Sequence, residues 1–157
     1  MATGKTTQGP RDSGQPQLER FLTYRLHLLN KLTDRHTSAA YAEKLGLAVG
    51  EARCLAAIGG FAPLSINDLA VRANLNKAQA SRAAQALVDR GHVAKSASDV
   101  DARGVVLVLT HQGAAAWRRA MKLIGQRNDE IFGCLSDTEQ RQLGAIFDRL
   151  IAHARLS

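Results

Sequence analysis

Leu18, Leu22, Leu29 and Leu32 recur at helical spacing, and Phe21, Leu26 and Leu28 widen the stripe into a broad apolar face, which predicts a long first helix. Gly46 can supply its left-handed stop, after which "LAVGEARCLAAIGG" reads as a second helix closed by Gly59 and Gly60. Ser65 opens "SINDLAVRA", a Ser-x-x-Asp start whose hydroxyl and carboxylate can satisfy free helix amides, so a short third helix follows. Asn74 and Asn76 bracket Leu75 as a tight turn. Asn76 then caps a fourth helix that runs through Ala80, Ala84, Leu87 and Val88 to a stop at Gly91.

The period changes after Gly91. "HVAK" and "GVVLVLT" are rich in valine and flank the polar "SASDVDAR", which predicts a two-stranded hairpin with a charged tip. Thr110 starts a fifth helix with Trp117, Ala120, Met121, Ile124 and Ile131 at helical spacing. Ser136 and Glu139 form a capping box for a last helix that carries Leu143, Ile146, Phe147, Leu150 and Ile151 on one face. Two short helices joined by a tight turn, then a hairpin, give a mainly α (α+β) class: a winged helix-turn-helix. We expect residues 47–110 to form that module, 17–46 and 111–157 a helical dimerisation region, and 1–16 a disordered tail. Dimerisation is expected because the module needs only part of the terminal helices' apolar surface, and a symmetric second copy is the commonest cover.

Charge turns this architecture toward a partner. Lys and Arg exceed Asp and Glu by 21 to 14, giving +7 over 157 residues, which fits a polyanion. Between Arg72 and Lys95 the basic residues are Arg72, Lys77, Arg82, Arg90 and Lys95, against Asp89 alone. A helix fits the DNA major groove, and an adjacent hairpin can cross the phosphates toward a minor groove. Near the start of the fourth helix, Gln79 and Arg82 can make bidentate base contacts, and Ser81 can reach a base or a phosphate. Lys77, Lys95 and Ser98 suit phosphates, which position the protein without reading sequence.

Enzyme chemistry finds no support: there is no Gly-rich phosphate loop and no metal-ligand spacing, and the five histidines are scattered. We therefore expect no catalytic residue, metal or cofactor. The chain start lacks the apolar segment of a signal peptide, and no apolar run approaches a membrane span, so a cytoplasmic location is expected. Cys54 and Cys134 form no CxxC or Cys/His cluster, which agrees with a reducing compartment.

From about Leu18 to the C-terminus the chain resembles the MarR family of winged-helix transcription regulators, most strongly in "LNKAQASRAAQALVDRGHV" and "DARGVVLVLTHQG". Asp101-x-Arg103 looks like the family's wing motif, and Leu109-Thr110 with Gly113 looks like its Leu-Thr-x-x-Gly helix entry. The resemblance implies a homodimer on an inverted repeat of double-stranded DNA, Ala78 to Arg90 as recognition helix, and Arg103 in the minor groove oriented by Asp101. A narrow, strongly negative groove favours a guanidinium on electrostatic grounds as well. Repression is the family's usual mode.

"FLTYRLHLLNKL" and "GLAVGEARCLAAIG" resemble a branch that binds small phenols or aromatic carboxylates such as a hydroxybenzoate. Independently, the stripe Leu18, Leu22, Arg25, Leu29, Leu32, His36 interrupts an apolar face twice with groups that need partners. One solution is internal, with Glu51 or Glu43 neutralising Arg25 and His36 held by the backbone. The other has Arg25, His36 and Arg53 converging on a carboxylate, Ala52 leaving room for a ring, and Tyr24 and His27 as further lining. Cys54, inside "RCLAAI", is expected to be a buried, inert thiol, which weighs against a cysteine redox trigger. A nonspecific architectural DNA-binding protein is the other alternative, distinguished by its indifference to sequence.

Overall fold

Asn74 turns the chain with φ +55, and Asn76 two residues later is extended with φ −75 and ψ 165, so the chain leaves one helix and caps the next within three residues. These helices are α3 (Ile66–Arg72) and α4 (Lys77–Asp89). The computed structural model describes residues 16–101 and 104–157. Ser65 caps α3 through Oγ, which accepts the Asp68 N–H at 3.1 Å. The full reciprocal box forms at α4 instead. Asn76 Oδ1 accepts the Gln79 N–H at 2.8 Å, and Gln79 Oε1 accepts the Asn76 N–H at 3.1 Å. A cap of this kind contributes roughly 0.5–2 kcal/mol.

By compactness the chain falls into residues 1–34 and 35–157, a boundary inside α1 (Leu22–Leu45). In the first unit a 3-10 turn, Leu18–Arg20, precedes α1, with Phe21 extended between them, so the helix starts four residues later than its apolar stripe suggests. The large apolar side chains of this unit are exposed, from Tyr24 at 40% to Leu22 at 78%.

The second unit is built around α2 (Val49–Phe61), which packs on α3, α4, α5 and the hairpin. Leu55, Ile58, Leu69, Leu87 and Leu107 are fully buried there, each burial favouring the fold by about 1.5–3 kcal/mol. Strands β1 (Val93–Ala97) and β2 (Val105–Leu109) are antiparallel, with Val93 opposite Leu109 and Lys95 opposite Leu107. Leu64 adds one rung, donating to Leu107 O at 3.2 Å and accepting from Leu107 N at 2.8 Å. A single bridging residue carries no alternating pattern.

Gly59 and Gly60 do not close α2, which continues to Phe61. The role of Gly59 is packing, because a Cβ there would overlap the Trp117 indole of α5 (His111–Phe132). That close approach lets Trp117 Nε1 donate to Ala56 O at 3.3 Å.

Helix α6 (Asp137–Ala154) starts at the expected box, with Ser136 N donating to Glu139 Oε2 at 2.8 Å. None of its residues is buried. Ile146, Phe147, Leu150 and Ile151 remain 37–56% exposed, an apolar stripe without cover in the single chain. Among the described residues no helix is long and apolar enough to cross a membrane.

Candidate nucleic-acid interface

Alanines decide which way α4 faces. Ala80, Ala83, Ala84 and Leu87 are buried against α2 and α3, and their small size lets the helix lie close to both. The opposite face presents Lys77, Ala78, Gln79, Ser81, Arg82 and Gln85 to solvent. This side has two cations and no carboxylate before Asp89, so it offers donors and positive charge to an anion. Gln79 is less free than its exposure suggests, since its amide oxygen is held in the cap.

Lys95 points from β1 back to this helix rather than straight to solvent. Its Nζ donates to Gln85 Oε1 at 3.0 Å, and Gln85 Nε2 donates to Asp89 Oδ1 at 2.8 Å. Lys95 is therefore a strut between hairpin and helix, with two ammonium protons left for a phosphate. Beside the strut is a cleft of about 190 Å³ lined by Ile66, Ser81, Gln85, Lys95 and Leu107. Ser98 helps to hold the hairpin as well, because its Oγ accepts from the N–H groups of Val100 and Asp101, both at 3.2 Å, which folds the tip. Gly104 N donates to Asp101 O at 2.9 Å. Arg103, the expected minor-groove residue, lies outside the described residues.

The end of α4 is clamped to α5. Thr110 Oγ1 donates to Gly91 O at 2.6 Å and accepts the Gly113 N–H at 2.9 Å, while Thr110 N donates to His92 O at 3.1 Å. Gly113 has to be small because a Cβ would overlap the His92 carbonyl. Leu-Thr-x-x-Gly is therefore a joint between two helices. Arg90 reinforces it, with Nε 3.1 Å from Glu51 Oε2 of α2. That contact corrects one expectation, since the partner of Glu51 is Arg90 and not Arg25.

The expected effector residues fall into two groups. Tyr24, Arg25 and His27 belong to the first unit and are exposed; His36, Ala52 and Arg53 belong to the second. Ala52 is fully buried in the core, so it does not open room for a ring. His36 and Arg53 are exposed. Sequence reasoning missed Thr37, Tyr41 and Arg127. Arg127 Nε donates to Thr37 Oγ1 at 3.3 Å, and its Nη1 pairs with Glu130. Tyr41 is buried, which raises its phenol above the ordinary value, while the charges of Arg53 and Arg127 pull it down. Two guanidiniums from α2 and α5 thus act on one buried phenol of α1. The signal for Arg127 was present, because it interrupts the α5 stripe of Ala120, Ile124 and Ile131.

Comparison with known proteins gives a consistent result. The model of the MarR family matches residues 45–104. The HTH-type transcriptional regulator BilQ of Clostridium symbiosum is 24% identical over 108 residues, covering 69% of this chain and 75% of that protein. The MarR family protein Rv2887 of Mycobacterium tuberculosis, solved with p-aminosalicylic acid, is 27% identical with a TM-score of 0.67, over 82% of this chain and 97% of that one. A structure of the same protein with salicylic acid aligns equally well. A MarR/EmrR family regulator of Acinetobacter sp. ADP1 superposes with a TM-score of 0.81 at 20% identity, over 90% of this chain and 100% of that one, which establishes a shared fold.

Burial, and then the charge of Glu51, push the Cys54 thiol up to about 11, whereas Cys134 is exposed. A thiolate-selective reagent at pH 8 should therefore label one cysteine in the native protein and two in denaturant. Rapid native labelling of Cys54, identified by peptide mass, would reopen a redox trigger.

Proposed function

We propose, on the premise that this chain belongs to the MarR family of transcription regulators, that it is a homodimeric repressor released from an inverted-repeat operator by a small aromatic carboxylate. The observation that carries the DNA reading is the α4 face, where Lys77, Ser81 and Arg82 stand free beside a hairpin braced by Lys95. Arg82 is the base reader of this set, since its guanidinium matches the two acceptors of guanine. Lys77 and Lys95 contact phosphates. Asp101 and Arg103 are assigned to the wing by the family motif, and the complex acts in the cytoplasm.

Dimerisation follows from uncovered surface. The apolar side chains of residues 18–32, and separately those of α6, are too extensive for a stable free monomer surface, and a twofold-related copy is the commonest cover. Two α4 helices then face one side of the duplex.

The effector reading rests on Arg53 and Arg127 around Tyr41, and on the 27%-identical relative solved with salicylic and p-aminosalicylic acids. Arg127 joins Arg25 and His36 as a candidate carboxylate partner, with Thr37 beside it. From Arg127, α5 runs 17 residues back to the Thr110 clamp on the end of α4, about 25 Å of helix at 1.5 Å per residue. A ligand releases DNA only if it binds the non-DNA conformer better, and a ~100-fold preference supplies about 2.7 kcal/mol.

Arg82→Ala should reduce the specific-to-random binding ratio by roughly 5-fold or more, the loss of a bidentate base contact worth ~1–3 kcal/mol. Lys95→Ala should weaken both kinds of binding together. Fluorescence anisotropy on operator and scrambled duplexes measures this, and an unchanged ratio in Arg82→Ala would make Arg82 a phosphate contact.

Calorimetric titration with salicylate should give heat with the wild-type protein and release it from DNA. Arg127→Gln should bind salicylate about tenfold more weakly, on the order of 1.4 kcal/mol, with unaltered ligand-free DNA affinity and thermal midpoint. Equal salicylate binding by a folded Arg127→Gln would remove that residue from the site.

A further inference from the structure

Gln79 holds a position that normally reads bases, yet half of its amide is already committed. The group facing it at 3.1 Å is the backbone N–H of Asn76, a donor, so the side-chain atom turned inward is the oxygen. The return bond, Gln79 backbone N to Asn76 Oδ1 at 2.8 Å, holds the Asn76 side chain and completes the box. Breaking the pair would give up half of the capping box at the start of α4 and leave the Asn76 N–H to water. The wholly uncommitted part of the amide is the NH2 group, two donors, while the oxygen already carries one hydrogen bond.

A glutamine reads adenine with both ends of its amide, accepting from N6 and donating to N7. The capped Gln79 oxygen already accepts from Asn76 at the helix start, so a bond from N6 would have to be a second one on an acceptor already engaged. Guanine is different, since N7 and O6 both accept, and cytosine is the worst partner because it offers only a donor. We propose that Gln79 is a donor-only specificity residue, selecting guanine and rejecting cytosine at one position of each half-site, and that the α4 capping box sets this choice. The proposal rests on α4 being the recognition helix.

Glutamate is the informative replacement. Gln79→Glu keeps an oxygen for the Asn76 N–H and preserves the box, but turns the outward group from donor to acceptor. Gln79→Ala removes both. Selection of binding sites from a library of randomised half-sites, with a thermal melt of each protein, reads out the two roles separately. The wild type should enrich guanine over cytosine at one position by about tenfold. Gln79→Glu should melt no lower than wild type and reverse that position to cytosine. Gln79→Ala should melt lower and show no preference there. Enrichment of adenine by the wild type at the position that Gln79→Ala erases would overturn the proposal. So would an unchanged base profile in Gln79→Glu. If the wild type enriches no sequence at all, the recognition reading of α4 fails first, an outcome distinct from either.

Discussion

One hydroxyl joins the two working parts of this protein. Thr110 Oγ1 donates to the Gly91 carbonyl and accepts from the Gly113 amide, so the turn that follows α4 and the first turn of α5 share a hydrogen-bonded joint. The joint works because its neighbours are minimal: Gly91 takes φ +78 and Gly113 has no Cβ to strike His92. A rotation of α5 would therefore pull on the end of α4. The Glu51–Arg90 pair ties the same corner to α2.

At the far end of α5 sits Arg127, hydrogen-bonded to Thr37 and acting with Arg53 on the buried Tyr41 phenol. A carboxylate there would compete for the guanidinium and move a helix already clamped to α4. In the proposed mechanism such a coupling would be reciprocal, DNA that holds α4 weakening the carboxylate by the same factor. The uncovered stripes of residues 18–32 and of α6 are the surfaces assigned to the proposed partner copy, with which the spacing of two α4 helices would matter.

Much of this is legible in the sequence because local chemistry dictates it. Asn76, Ser136 and Thr110 each cap the helix that their position predicts, and the valine-rich runs form the hairpin. The failures share one cause, which is that tertiary contact overrides a local signal. Gly59 has the look of a stop and is a packing notch for Trp117. Ala52 suggests space for a ring and is core. Glu51 suggests a partner for Arg25 and pairs with Arg90, 39 positions on. Residue type alone makes Gln79 and Ser98 DNA contacts, while their geometry shows each also holding backbone amides. Arg127 is findable as a cation on an apolar stripe of α5, but its partner Thr37 is 90 residues away.

The central claim is that two copies present two α4 helices to one face of a duplex. Hydroxyl-radical footprinting of the protein on its own promoter DNA tests it most directly. Two equally protected half-sites in inverted orientation are expected, with centres about 10 bp apart, appearing together as protein is added. Protection of a single half-site by a monomer, or uniform protection without sequence boundaries, would contradict it.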